Sequence, residues 1–467
     1  MKLKTTTKDI ANAPKKYVRL ILTEKKPSSV RFVETKDGIL ELHKGTGKRS
    51  EVTPRSFITL VRSIVRDAKA YDIDHLAVQL SNSPFPKLKK LGDEWVVRTI
   101  AENFILANYE FTKYQTTKEA KTPVKEVLIC GGVTKAEQSA LKQGEITATG
   151  VNLARDIANT TAEEMTPTEL GKAAQAAAKG TGVKVTVHGE KELKKLKMGA
   201  LLAVGQGTRS ETKLITLEYS GANKNEKPIV FVGKGITYDT GGLNVKPSGA
   251  MHDMHLDMSG GAAVIASVIT IAKLGLKKNV IGIVPAAENA ISDTAMRAGD
   301  IVRSMSGKTI EVMHTDAEGR MVLADALTYA QRHNPGVILD AATLTGAALV
   351  ALGQHASAVM TKDEQLGSTL RIRGEESGDY VWPLPLWDEY KQYLKSDRAD
   401  IANIDPKFSK FGGTIEGGTF LSYFVPKNVP WAHIDIAPRM DAIPSDKLAK
   451  GSTGEPVRLL VRFAEQY

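Results

Sequence analysis

"KPIVFVGKG", residues 227–235, is a short unbroken apolar run that halts at a lysine between two glycines. An apolar run without polar alternation has no face to give to water, so it reads as a strand covered on both sides, as in a sheet packed between helices. "KVTVHG" (184–189), "NVIGIVPAAEN" (279–289), "TIEVMHTD" (309–316) and "GVILDAATLTG" (336–346) repeat the pattern, with amphipathic segments between them. The expected fold is α/β, with a central mixed sheet covered by helices on both faces in the C-terminal part of the chain. In such sheets functional groups collect beyond the carboxyl ends of the strands.

Upstream, "KYVRLILTE" (16–24), "HLAVQLS" (75–81) and "VKEVLICGG" (124–132) read as strands, and "SFITLVRSIVRDAKAYD" (56–72) as a helix. They predict a smaller N-terminal α/β domain over 1–150. A connecting helix is expected over about 136–165, after which Thr166 and Pro167 suit the cap and first turn of another helix, opening a C-terminal domain over 166–467. A chain of 467 residues accommodates two such domains.

The longest apolar run, "AAVIASVITIA" (262–272), is too short to span a bilayer, and the lysine-rich N-terminus lacks the apolar segment of a signal peptide. No membrane association is expected. Cys130 is the only cysteine, which excludes an intrachain disulfide and fits a reducing, cytoplasmic setting. The whole net charge of +10 falls in residues 1–100, which hold 21 Lys and Arg against 11 Asp and Glu. Such a stretch could meet nucleic acid or another polyanion, although charged stretches are more often solvated faces.

Three strand ends carry the chemistry. "FVGKGITYDTGGLNVKPS" (231–248) sets Lys234, Asp239 and Lys246 on a glycine-rich path, and "MHDMHLDMSGGAAVIA" (251–266) sets Asp257 just before a helix of small residues. "MHTDAEGRMVLADAL" (313–327) sets Asp316 and Glu318 two apart and then Arg320 in the first turn of a helix. Asp257 taken alone suits a helix cap as well as a site. Asp316 and Glu318 point the same way if the strand persists through both. Carboxylates crowded at one sheet edge repel unless positive charge lies between them. Divalent cations answer that need: carboxylate oxygens with a lysine amine suit zinc, manganese or magnesium, and two such ions ~3.5–4 Å apart form a known hydrolytic arrangement. A phosphate loop is a poor reading, because the spacing G-x-x-x-x-G-K-[ST] is absent.

These segments resemble the leucyl aminopeptidase family, cytosolic two-metal exopeptidases whose signature Asn-Thr-Asp-Ala-Glu-Gly-Arg-Leu stands here as "HTDAEGRM" (314–321), with six of eight positions matching. The resemblance continues in order through "ARDIANTTAEEMTP" (154–167), "RAGDIV" (297–302), "DAATLTGA" (340–347), "FLSYFV" (420–425) and "WAHIDIA" (431–437). It implies metal ligands at Lys234, Asp239, Asp257, Asp316 and Glu318 for two divalent ions per subunit, Zn or Mn ahead of Mg or Co. It also implies that Lys246 stabilises an oxyanion as an ammonium, and that Arg320 holds a bicarbonate that shuttles a proton. The first substrate side chain would enter an apolar pocket at Met254, Thr343 and Gly346.

The implied activity is release of leucine and other apolar residues from short peptides with a free N-terminus, by a water bridging two metals, in a cytoplasmic homohexamer. His314 in place of the signature asparagine, Thr240 for a serine and Ala298 in "RAGD" depart from the family pattern. A DNA-binding or regulatory protein using the basic N-terminal region is the rival expectation.

Overall fold

The computed structural model describes residues 1–79, 84–116, 123–409 and 411–467. Contacts divide the chain into two units, 1–152 with 442–450, and 153–441 with 451–467.

The first unit is built on a six-stranded sheet of β1 (Lys2–Thr5), β2 (Val18–Thr23), β3 (Val30–Glu34), β4 (Leu40–Gly45), β5 (His75–Val78) and β6 (Glu126–Ile129), in the order β1-β6-β5-β2-β4-β3. Neighbours are parallel except β3 with β4. Of the strand expected over 75–81, positions 80 and 81 lie outside the described residues. Helix Pro54–Ala70 begins at Thr53, which exchanges hydrogen bonds with Ser56 in a capping box, and Pro54 takes the first turn. Its Phe57, Val61 and Ile64 share a core with Leu76 and with Phe104 of helix Asp93–Asn108. Some of the positive charge is neutralised locally, by Lys4 on Glu126 and Lys44 on Asp67, each at 2.7 Å. Segment 442–450 belongs to this unit, and the Asp446 carbonyl accepts from buried Arg62 at 3.1 Å. The helix expected over 136–165 runs Lys135–Asn159 instead; the chain turns after it, and Thr166 caps a separate helix, Pro167–Ala178.

The second unit contains β7 (Lys184–His188), β8 (Lys213–Ser220), β9 (Ile229–Gly233), β10 (Gly235–Asp239), β11 (Asn279–Asn289), β12 (Ile301–Arg303), β13 (Thr309–Glu311), β14 (Val337–Ala342), β15 (Ser357–Thr361), β16 (Val381–Leu384), β17 (Ile401–Ala402) and β18 (Trp431–Asp435). A nine-stranded sheet follows the order β16-β15-β18-β14-β9-β11-β8-β7, with β10 also on β11, while β12-β13-β17 form a small sheet of their own. β18, β14, β9 and β11 run parallel, and β8 and β15 oppose their neighbours β11 and β18, so the sheet is mixed.

Every residue of β9, β14 and β18 is buried. On one face, Val264 and Val268 of helix Ser259–Leu274 fill the space over Gly282. On the other, Leu201 of helix Gly199–Gly205 and Leu323 and Leu327 of helix Glu318–Ala330 join Val230, Val232, Ile281 and Ile283 in one core. Each such side chain contributes about 1.5–3 kcal/mol by leaving water. The covered mixed sheet is the one the apolar runs predict, except that "TIEVMHTD" supplies β13 of the small sheet instead of a strand of the central one.

Two expectations change. "TIEVMHTD" is a strand only over Thr309–Glu311, because the amides of Met313 and His314 are taken by Asn403 Oδ1 rather than by a neighbouring strand. The apolar run at 262–272 is part of a longer stretch, Met254–Leu274, in which a 3₁₀ turn leads straight into the helix. Its 21 residues are long and apolar enough to cross a membrane, but its most apolar window is 89% buried, as a core helix is.

Candidate metal centre

β9 is paired on both sides, with β11 as far as Val232 and with β14 as far as the glycine that precedes Lys234. Beyond it β10 continues along β11 alone, while β14 stops at Ala342, so the sheet parts at Lys234 and leaves a crevice at its carboxyl edge. Lys234 and Asp239 are five positions apart and in a regular extended chain would face opposite ways. A bulge between Ile236 and Tyr238 inserts one extra residue, which turns both side chains toward the crevice. Asn289, closing β11, then donates to Asp239 Oδ1 at 2.8 Å, and Gly241 N donates to the same oxygen at 2.9 Å.

Six of the seven charged candidates meet there. Lys234 Nζ lies 2.9 Å from Asp257 Oδ1, 2.8 Å from Glu318 Oε1 and 3.0 Å from the Thr343 carbonyl. Lys246 Nζ lies 2.7 Å from Asp239 Oδ2 and 2.6 Å from Asp316 Oδ1. Oxygens of Asp239, Asp316 and Glu318 all fall within 4.8 Å of one another. Asp257 does not cap the helix that follows it: its carboxylate takes Lys234 and the Thr343 hydroxyl at 2.7 Å, and the cap position falls to Met258. Nor do Asp316 and Glu318 share a strand, since Glu318 is the first residue of helix Glu318–Ala330 and the two converge across a loop-to-helix junction. His314 organises that loop by accepting the Asp316 amide on Nδ1 at 3.2 Å. Gly319 is required beside them, because a Cβ there would fall 2.6 Å from Lys234 Nζ.

The electrostatics follow from burial and crowding. Burial, with Asp239, Asp257 and Asp316 adding to it, pushes the Glu318 carboxyl up to about 8 against the pull of Lys234. Burial likewise lifts Asp257 to about 6 and moves Asp316 upward. Burial opposes charge on Lys234 and Lys246, but the facing carboxylates outweigh it and hold both above the ordinary lysine value. Asp257 Oδ2 and Asp316 Oδ1 lie within ion-pair distance of these lysines but off the hydrogen-bonding direction, and Glu318 Oε2 is buried with no hydrogen-bond partner among the described residues. Four acids against two lysines, with one buried oxygen unsatisfied, fit a site for divalent cations.

Arg320 stands beside this network rather than in it. Its Nη1 donates to the Asn403 carbonyl at 2.6 Å and to Glu416 Oε1 at 2.8 Å, and the Phe420 ring centroid lies 6.0 Å from the guanidinium carbon. Nε and Nη2 have no acceptor among the described residues. A Cβ on Gly417 would lie 3.5 Å from Nη2, so the bare glycine leaves that edge of the guanidinium uncrowded, and a planar donor fork of this kind suits a small planar anion. Of the pocket candidates, Thr343 is buried and committed to Lys234 and Asp257, Met254 is half-buried, and Gly346 is exposed with no atom within 4 Å of where a Cβ would be.

Sequence reasoning missed Asn289, Asn403, Glu416 and Asp435. Asp435 closes β18 and accepts from Leu344 N at 3.1 Å and the Thr345 hydroxyl at 2.7 Å, fixing the loop that carries Thr343. The available signal was a lone acid or amide in an apolar or glycine-rich stretch, as in "GTIEGGTF" (413–420), where burial demands a distant partner.

Fold and site define the class: an α/β protein that gathers four acids and two lysines at the carboxyl edge of a covered mixed sheet. Residues 152–461 match the model of the cytosol aminopeptidase family catalytic domain, and 45–118 match that family's N-terminal domain. A protein of Nitrosospira multiformis named "Probable cytosol aminopeptidase" is 41% identical over 426 residues, covering 90% of this chain and 80% of its own length. One of the same name from Methylobacillus flagellatus is 39% identical over 450 residues, covering 94% and 88%. Among solved structures, the bottromycin maturation enzyme BotP in complex with Mn superposes with a TM-score of 0.86 at 32% identity, covering 97% of this chain and 99% of that one. The chain belongs to the cytosol aminopeptidase family, whose members are metal-dependent aminopeptidases.

Proposed function

We propose that this chain is a two-metal exopeptidase that releases leucine and other apolar N-terminal residues from short peptides with a free amino group. The observation that carries the reading is the meeting of Asp239, Asp257, Asp316 and Glu318 with Lys234 and Lys246, with Glu318 Oε2 buried and unpartnered. Bound divalent ions, zinc or manganese ahead of magnesium or cobalt, supply Lewis acidity and an activated water. Lys234, Asp239, Asp257, Asp316 and Glu318 are their ligands. Lys246 polarises the scissile carbonyl and stabilises the oxyanion that develops on it. Arg320 would hold a bicarbonate, which would supply a planar base for proton transfer beside the acids. Met254 and Gly346 border the space for the first side chain, and Thr343 fixes Lys234 and Asp257 beside it. A cytoplasmic homohexamer belongs to the same reading through family membership.

The test is hydrolysis of leucine p-nitroanilide by chelator-stripped protein with Mn, Zn, Co or Mg restored, and an N-acetylated substrate as control. Metal-restored cleavage that acetylation abolishes is the expected result. Cleavage of the acetylated substrate at a similar rate would refute an exopeptidase that reads the free amine.

A further inference from the structure

Arg320 and Glu416 form an ion pair 2.8 Å long whose side chains are only 6% and 8% exposed. Two glycines bring the acid inside. A Cβ on Gly418 would fall 2.8 Å from the Met360 sulfur and one on Gly417 would fall 3.0 Å from Leu344, so only a bare backbone lets helix Gly413–Ser422 lie this close to β15 and to the loop after β14. The carboxylate is then fully used, because Glu416 Oε2 accepts the Asp405 amide at 3.1 Å. The guanidinium is gripped at Nη1 by Glu416 and by the Asn403 carbonyl, and its other edge is left open.

We propose that Glu416 is a positioning and selectivity residue for the anion held by Arg320, a proposal that rests on the anion-holding role given to Arg320 above. By fixing Nη1 it presents the Nε and Nη2 edge, and by its charge it restricts that edge to monoanions such as bicarbonate. A lone guanidinium attracts a dianion more strongly than a monoanion, because the Coulomb energy scales with the ligand's charge. Beside Glu416 the pair is neutral overall, so a second negative charge on the ligand gains nothing, and the planar two-point hydrogen bond decides what binds. Sulfate and phosphate are thereby rejected, and bicarbonate is held loosely enough to exchange.

The test uses the metal-loaded full chain and reads its melting temperature, which rises with any ligand that binds the folded state. Bicarbonate and sulfate are titrated at constant ionic strength against wild type, Glu416→Gln and Glu416→Asp, with Arg320→Met marking any response due to the metals alone, and kcat and KM are measured alongside. Wild type should respond to bicarbonate and not to sulfate. Glu416→Gln, which is neutral, should bind sulfate ~10-fold more tightly, with sulfate displacing bicarbonate. Glu416→Asp keeps the charge and should keep the selectivity, while its shorter reach lowers kcat with KM nearly unchanged. Sulfate competing with bicarbonate in wild type would overturn the proposal, and so would Gln and Asp variants with the same anion response. The wild-type competition decides the matter even where Glu416→Gln fails to fold. Because melting requires no turnover, a protein inactive on peptides but selective for bicarbonate refutes the peptidase reading and leaves this one standing.

Discussion

Lys234 Nζ lies 2.8 Å from Glu318 Oε1, with both side chains almost sealed from solvent, while the second oxygen of that carboxylate is buried and unclaimed. Glu318 is therefore the acid that gains most from a cation. Chelator-stripped protein given Mn or Zn should melt at a higher temperature, a ligand at 100 times its Kd contributing about 2.7 kcal/mol. Glu318→Gln should lose most of that shift and lower activity at least ~100-fold, as loss of a transition-state contact does. An undiminished metal-induced shift in this variant would remove Glu318 from the ligand set.

Lys246 bridges Asp239 and Asp316, yet it is attached to a loop and its side chain is 14% exposed. Replacing it by methionine should spare the fold and the bound metal while lowering kcat by ~10²–10³, the usual loss for one oxyanion donor. Steady-state kinetics with metal analysis checks this, and a larger effect on KM than on kcat would assign Lys246 to substrate binding instead.

Asp325 lies about two turns along helix Glu318–Ala330 from Glu318. Its carboxylate accepts Leu201 N at 2.9 Å and Met305 N at 2.6 Å, and burial pushes it up to about 7 in spite of those hydrogen bonds. A carboxyl whose folded value lies above its unfolded one adds stability that is complete below its ordinary 3.8 and is lost as pH rises through about 7. The stability of wild type relative to Asp325→Asn should therefore fall across that window, by at most ~1.4 kcal/mol per pH unit. Urea melts of both proteins at several pH values measure it, and a pH-independent difference would contradict the assignment.

Asp435 fixes the loop after β14 through Leu344 and Thr345. Asp435→Ala should cost about 1–3 kcal/mol for each donor left unpaired and should also slow turnover, because Thr343 on that loop holds Lys234 and Asp257. A variant that melts earlier but turns over at the wild-type rate would confine Asp435 to stability.

β9, β11 and β14 are legible in the sequence because helices cover both faces and nearly every position is apolar. β16 is not, since Pro383 argues against a strand and is tolerated only because β16 is the edge of its sheet. β17 spans two residues and has no period to read. The charged candidates come from three local segments whose spacing is visible in the chain. The rest of the site is long-range: Arg320 finds Asn403 and Glu416, and Asp435 finds Leu344, across 83 to 96 residues. The bulge that aligns Asp239 with Lys234 leaves no composition signal either, because it depends on where β11 lies.

Segment 442–450 completes the first unit although residues 153–441 are made before it. At ordinary elongation rates that interval lasts roughly 15 to 60 s on the ribosome. In the complete chain Arg62 donates to Asn103 at 2.7 Å and to the Asp446 carbonyl at 3.1 Å, and the second acceptor is made only when that interval ends. The unit that emerges first is therefore among the last to be finished, and a nascent chain cut short after residue 152 carries an N-terminal unit that chaperones would meet as incomplete.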